Sequence, residues 1–374
     1  MPENTAAWLD GPYSDLTVRT APYTAPGATE IVVRTRAIAV NPLDAIKQST
    51  GDIMYRWLPY PTVLGEDIAG DVVEVGSAVT RFAVGDRVLG YAVGMEKERR
   101  HAAEGGFQRY TVLRAQLAAP IPDSLSFEDA AVLPLGISTA ASALFQTNNL
   151  GLRHPTAATH PTGKSIAVWG GSTSVGSNAI QLAVAAGYTV VTTASPHNHD
   201  RMLELGATRV FDYASPSAVR DVAAALGGTT VAGVLAVGTG SAEPSVAIAI
   251  ATGAKKVTLA SPSVSFGDLA RRRGVNPTLV RTLARLVAGN VALQARCAVH
   301  GIRARFVWGS SLMTNEVGPM LWEDFLPTAL AEGRYRALPT AHVVGSGLGS
   351  IQPALDLVRQ GVSARKLVVT LPAD

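Results

Sequence analysis

The stretch VWGGSTSVGSNAIQLAVAAG, residues 168–187, decides the fold. An apolar run over 165–169 leads into Gly170-Gly171-Ser-Thr-Ser-Val-Gly176. A helical pattern follows, with Ile180, Val184 and Gly187 on one face. Strand, glycine turn and helix form the context of a dinucleotide fingerprint. The glycines permit a tight turn and close backbone approach, and the unpaired N–H groups of the helix start attract a pyrophosphate. The match to G-x-G-x-x-G is incomplete. Gly171 and Gly176 take the first and third positions, and Thr173 stands at the middle one. Its side chain must turn away from a cofactor or hydrogen-bond to it. Ser172, Thr173 and Ser174 add hydroxyls to the loop, and Val175 completes it. The plain alternative is an ordinary strand–turn–helix connection.

An acidic residue some twenty positions past the first glycine usually binds the ribose 2′-hydroxyl of NAD. Here the second strand ends TTASPHNHD, with no carboxylate at its tip. Ser195, His197 and Asn198 offer hydrogen-bonding groups that do not repel a 2′-phosphate, and Tyr213 adds a hydroxyl after the next short strand. NADPH is expected over NADH.

At 374 residues the chain predicts two domains. Apolar residues make up 47% and aromatics only 6%, a balance that suits an α/β protein. A net charge of +3 gives no reason to expect nucleic acid or a membrane as partner. The single cysteine, Cys297, excludes an internal disulfide and a cysteine metal cluster. With no signal-peptide pattern and no long apolar run, a cytoplasmic protein is expected.

The first 120 residues read as short strands, at 31–40, 68–75 and 87–91, punctuated by Pro and Gly. The charged stretch 95–106 is expected to be a solvated loop. From Phe127 helical patterns alternate with apolar strands at 165–169, 188–193, 209–211, 233–237 and 256–260, which argues for a parallel sheet. The final 60 or so residues lose the alternation and end in a Val-rich strand, 366–371. A second glycine run, Gly345-Ser-Gly347-Leu-Gly349, lies too near the C-terminus to open another doubly wound domain and reads as a loop before the last helix.

The stretches AVNPLDAIKQ, PTVLGEDIAGDVVEVG, RFAVGDRVLGY, the glycine loop and KLVVTLP span the chain in order. Together they resemble the medium-chain dehydrogenase/reductase family, in its zinc-free quinone reductase and enoyl reductase branch. The combination of GGSTSVG, ASPHNHD and FDY most resembles trans-acting enoyl reductases of polyketide pathways. The resemblance implies an α/β protein with a GroES-like β-rich catalytic domain, residues 1–136 and 309–374, interrupted by a Rossmann doubly wound domain, residues 137–308, that binds NADPH. The active site would lie between the two. Zinc-dependent relatives place a Cys where Asn41 lies and a His where Glu66 lies, so no metal is expected. Glu66 and Asp67 are expected to be structural.

Without a metal, such a reductase needs an electrophile already activated by conjugation. Hydride goes to the β-carbon of an unsaturated carbonyl, donors stabilise the enolate, and a proton reaches the α-carbon. Lys47 and Asn41 in AVNPLDAIKQ are candidates for this work, with a solvated lysine as the alternative for Lys47. Ser138 and Thr139 either contact nicotinamide or carbonyl, or bond back to the preceding helical turn. Tyr55 and Trp57 wall an acyl channel or belong to the core. An enoyl thioester is the expected substrate. A quinone or enone oxidoreductase and a non-catalytic NADPH sensor are the alternatives, and a homodimer is an option the sequence leaves open.

One feature lies outside the family pattern. Residues 269–315 contain no Asp or Glu but eight arginines: Arg271, Arg272, Arg273, Arg281, Arg285, Arg296, Arg303 and Arg305. They form either a solvated basic helix or a docking surface, centred on Arg271 to Arg273, for an acidic acyl carrier protein or for phosphates.

Overall fold

In the computed structural model the strand Lys164–Trp169 lies at the middle of a six-stranded sheet. The structure describes residues 2–372, apart from 98, 157, 265, 267, 268, 270 and 272–276. The strand order is Arg209–Phe211, Thr189–Thr193, Lys164–Trp169, Thr230–Ala236, Lys256–Leu259, Arg303–Phe306, and all pairs are parallel. The order reverses beside Lys164–Trp169, and open α/β sheets bind ligands at the carboxyl ends of the strands at such a switch point. One layer of the core joins Ala167, Val234 and Val257 of the sheet to Val222, Val246 and Leu293 of the helices. Cys297 is buried in the same cluster, and burial raises its thiol pKa, so it packs as an inert apolar side chain.

The last strand of this sheet was not expected. Arg303–Phe306 reads as polar because only Ala304 faces the core, while both arginines and Phe306 are exposed. Its parallel pairing with Lys256–Leu259, not its composition, makes it a strand.

The second sheet has seven strands, in the order Thr340–Ser346, Arg365–Thr370, Glu30–Ala39, Asp67–Val75, Arg87–Tyr91, Ala118–Pro120, with Tyr110–Arg114 also paired to Glu30–Ala39. A three-stranded sheet joins Leu16–Ala21, Asn4–Leu9 and Thr62–Val63. The C-terminal region does alternate, contrary to expectation: Thr340–Ser346, the helix Ile351–Arg359 and Arg365–Thr370 form a βαβ unit with a parallel pair. The strand Thr340–Ser346 is largely exposed and lacks the apolar run that marks a buried strand.

Chain contacts divide the protein into two units. One holds residues 1–135, 266–277 and 322–374, and the other holds 136–265 and 278–321. Residues 309–321 fall outside the first unit because Ser142 Oγ donates to Gly309 O, and Gln146 and Ser311 bond each other. Residues 266–277 fall within it because Arg359 donates to Leu269 O and Arg271 pairs with Asp356.

The stretch 95–106 is not a solvated loop. Met95 is fully buried, and His101–Glu104 is a short helix. The buried Glu104 carboxylate accepts from the Arg99 guanidinium and from Arg100 N–H. Ion pairing lets the Glu104 carboxylate be buried beneath the two arginines.

Candidate functional site

In the parallel-sheet unit the glycine loop is tied to the second strand. Gly170 N–H donates to Thr193 Oγ1 (3.0 Å), and Gly171 N–H to Thr193 O (2.8 Å). Gly170 has a φ of 84°, in the left-handed region that favours glycine. A Cβ on Gly176 would sit 2.1 Å from Gly170 O, so the helix start can fold back over the loop only without a side chain there.

Thr173 resolves the incomplete fingerprint. It is the N-cap of the helix Ser174–Ala185: its Oγ1 donates to Gly170 O (2.8 Å) and accepts the Gly176 N–H (3.0 Å). The threonine closes the loop itself, its hydroxyl committed to the loop's own backbone. The first-turn amides of Ser174 and Val175 have no intrahelical acceptor. Ser174 Oγ is buried without a hydrogen-bond partner. The helix Pro134–Phe145 passes so close that a Cβ on Gly136 would lie 2.3 Å from that oxygen. Ser138, half a turn further along, is also buried with an unpartnered hydroxyl, so it does not bond the preceding turn. Thr139 is buried, with its Oγ1 2.4 Å from where a Cβ of Gly309 would stand.

At the tip of the second strand, Ser195 begins a short turn, His197 and Tyr213 are exposed, and Asn198 is buried with its Nδ2 unpartnered. Uncapped amides, an unpartnered serine hydroxyl, an unpartnered amide nitrogen and a glycine cradle fit the acceptor-rich phosphates and ribose of a dinucleotide.

The other unit contains a buried polar cluster around Asn41. Asn41 N-caps the helix Pro42–Thr50, and its backbone N–H donates to Asp44 Oδ2 (2.8 Å). Its side-chain Nδ2 donates to Asp67 Oδ2 (2.8 Å). Asp67 also accepts Leu135 N–H (2.6 Å) and pairs with the buried Lys366, whose Nζ donates in addition to Val132 O (3.1 Å). Burial pushes the Asp44 carboxyl up to about 7, helped by the Asp67 charge and opposed by the Asn41 hydrogen bonds. Burial, then the charges of Asp44, Glu96 and Asp67, raises Glu66 well above the carboxylate range, and its Oε2 has no hydrogen-bond partner.

The donor set does not suit zinc. The Asn41 amide is committed to Asp67, Asp67 to an ammonium, and burial raises the proton affinity of Glu66. Among the described residues no cluster of three His, Cys, Asp or Glu could hold a metal.

Lys47 is not solvated. Its side chain has no exposed surface, and its Nζ donates to Asp52 (3.2 Å) and to Tyr55 O (3.0 Å) and lies 4.7 Å from the Tyr60 ring centroid. Burial lowers its pKa, against the pull of Asp52. Tyr55 is buried, with Trp57 edge-on to it at 5.5 Å, while Trp57 itself is 40% exposed. Sequence reading did not find Lys366, Asp44 or Tyr60. Asp44 was legible, as the third helical residue after an Asn-Pro start, but the partnership of Lys366 with Asp67 spans 299 positions.

Residues 27–123 match the alcohol dehydrogenase GroES-like domain. The chain is 49% identical to dehydrogenase pigH of Monascus ruber, over 99% of this chain and all of that protein. It is 39% identical to the trans-enoyl reductase himH of Aspergillus japonicus, over 91% of this chain and 90% of that one. The solved CurK enoyl reductase superposes with a TM-score of 0.72 at 17% identity, over 99% of this chain and all of that one. The chain therefore belongs to the medium-chain dehydrogenase/reductase family, close to its enoyl reductases. It is an oxidoreductase, and its fold implies a nicotinamide cofactor. Among the described residues no helix is long and apolar enough to cross a membrane.

Proposed function

We propose that the protein is an NADPH-dependent reductase of an activated carbon–carbon double bond, acting on an enoyl thioester without a metal. The observation that carries the reading is the second strand's tip: where a carboxylate would select NAD, the chain has Ser195 and the unpartnered amide of Asn198. The likeness to a trans-enoyl reductase over nine-tenths of the chain supports the substrate class.

In this reading the unit that holds the parallel sheet binds the cofactor, and the other unit is the catalytic domain. Ser172, Ser174 and Val175 present backbone and hydroxyl donors to the pyrophosphate, Gly171 and Gly176 let it approach the backbone closely, and Thr173 holds the loop's geometry. Ser195, His197, Asn198 and Tyr213 surround the 2′-phosphate, and Ser138 bonds the nicotinamide amide. When bound, the nicotinamide would supply the hydride for the β-carbon. Thr139 donates to the developing enolate oxygen. Lys47, made less basic by burial, keeps a proton available for the α-carbon. Asn41 anchors the helix that carries Lys47 to Asp67.

An acyl carrier protein as substrate bearer belongs to the same reading. Of the residues expected to dock it, Arg272 and Arg273 lie outside the described residues. Arg271 is already paired, to Asp15 (2.6 Å) and Asp356 (3.4 Å), so its charge is largely neutralised within its own unit.

The test is cofactor oxidation followed by absorbance, with NADPH or NADH and three acceptors: trans-2-butenoyl-N-acetylcysteamine, a quinone and a simple enone. The expected result is NADPH consumption with the thioester dominant. Turnover of the quinone or enone alone would instead make the protein a quinone or enone oxidoreductase. Bound NADPH with no turnover would leave a non-catalytic role.

A further inference from the structure

The longest helix, Pro277–Val299, is apolar on two faces. Leu279, Leu293 and Cys297 are buried on one. A second stripe, at the 3.6-residue period, runs through Val280, Ala284, Val287, Val291 and Ala295 and is exposed. Val280 is 59% exposed, and Val287 and Val291 are each 64% exposed. Scattered exposed valines are ordinary, but a row along four turns of one helix is a contiguous patch. Arg281 and Arg285 border the row, and neither makes an ion pair among the described residues. Arg296, by contrast, is paired with Glu243 (2.9 Å). No carboxylate occurs from position 269 to 315, so nothing in the local sequence balances these arginines.

We infer that this stripe is the docking face for an acidic carrier protein that presents the thioester. The inference rests on the enoyl thioester reading above. An apolar row with cations on its border suits a partner helix of similar apolar width flanked by Asp and Glu. The arginines steer the encounter, and the valines supply the contact that slows dissociation. The place of docking thus moves from Arg271, which is internally paired, to a helix on which Arg281 and Arg285 make no ion pair among the described residues.

The test compares three full-length proteins: the wild type, Val287→Asp/Val291→Asp and Arg281→Glu/Arg285→Glu. Each is assayed with trans-2-butenoyl-loaded acyl carrier protein and with trans-2-butenoyl-N-acetylcysteamine. Carrier affinity is also measured by fluorescence anisotropy, without turnover. The expected result is a KM for the carrier-linked substrate raised about tenfold in both variants, with the small thioester unaffected. The carrier Kd should rise in parallel, and wild-type affinity should fall with added salt. Unchanged carrier affinity in both variants overturns the inference. So does concentration-dependent self-association of the wild type that the valine variant abolishes, because the stripe would then belong to a second copy of the chain. If the wild type reduces neither thioester, the enoyl reading fails, while the anisotropy titration still decides whether the stripe binds the carrier.

Discussion

The Lys366 ammonium and the Asp67 carboxylate form an ion pair in which the side chains are 5% and 0% exposed. Around it meet Asn41, Val132 O and Leu135 N–H, so one pair joins the last strand, the strand Asp67–Val75 and the starts of two helices. Removing one partner leaves a buried charge uncompensated. Lys366→Met is expected to lose about 3–5 kcal/mol of stability, and Lys366→Met/Asp67→Asn to recover most of it. Denaturant melts of the two variants check this. Equal losses in both would mean that the pair contributes through packing alone.

The glycine loop predicts a separation of effects. Gly176→Ala places a methyl group 2.1 Å from Gly170 O and should weaken NADPH binding at least tenfold, measured by fluorescence quenching. Thr173→Ala removes only the cap and should cost about 1 kcal/mol of stability with a smaller loss of affinity. If Thr173→Ala were the more damaging to binding, the threonine would be a ligand and not a cap.

Ser195→Asp places a carboxylate at the tip of the second strand. NADPH should bind at least tenfold more weakly while NADH improves or holds. A ratio of the two KM values that does not move would place the 2′-phosphate elsewhere.

Burial gives the Asp44 and Glu66 carboxyls a higher proton affinity in the folded chain than in the unfolded one. Above about pH 4 the unfolded chain has released these protons while the folded chain still holds them. Stability therefore falls as pH rises, toward the Asp44 value of about 7. Glu66→Gln stays neutral and should flatten this decline between pH 5 and 8. Thermal melts across that range measure it, and parallel curves for variant and wild type would refute it.

Lys47→Met should lower kcat on the thioester about 10²-fold. Lys47→Arg should not restore it, because an arginine stays protonated and cannot pass a proton on. A KM increase with kcat intact would instead make Lys47 a binding residue.

The local patterns of this chain are enough for the parallel sheet. The strand Lys164–Trp169 carries the apolar run Ile166 to Trp169, the strand Thr189–Thr193 is built of β-branched residues, and the loop Gly170–Gly176 follows where the chain must turn. The family's motifs, read in order, are also legible without coordinates. Other features are decided only by tertiary contact. Arg303–Phe306 is a strand because a neighbour offers it hydrogen bonds, and the charged stretch 95–106 is packed because Arg99 and Arg100 find Glu104. Thr173 is a helix cap because of where Gly170 O and Gly176 N–H lie. Lys47 loses its solvent, Arg271 its free charge, and Lys366 gains Asp67 for the same reason. Periodicity reports which way a side chain faces along its own segment. The partner that neutralises a charge or satisfies a donor comes from a distant segment, and only the folded chain brings the two together.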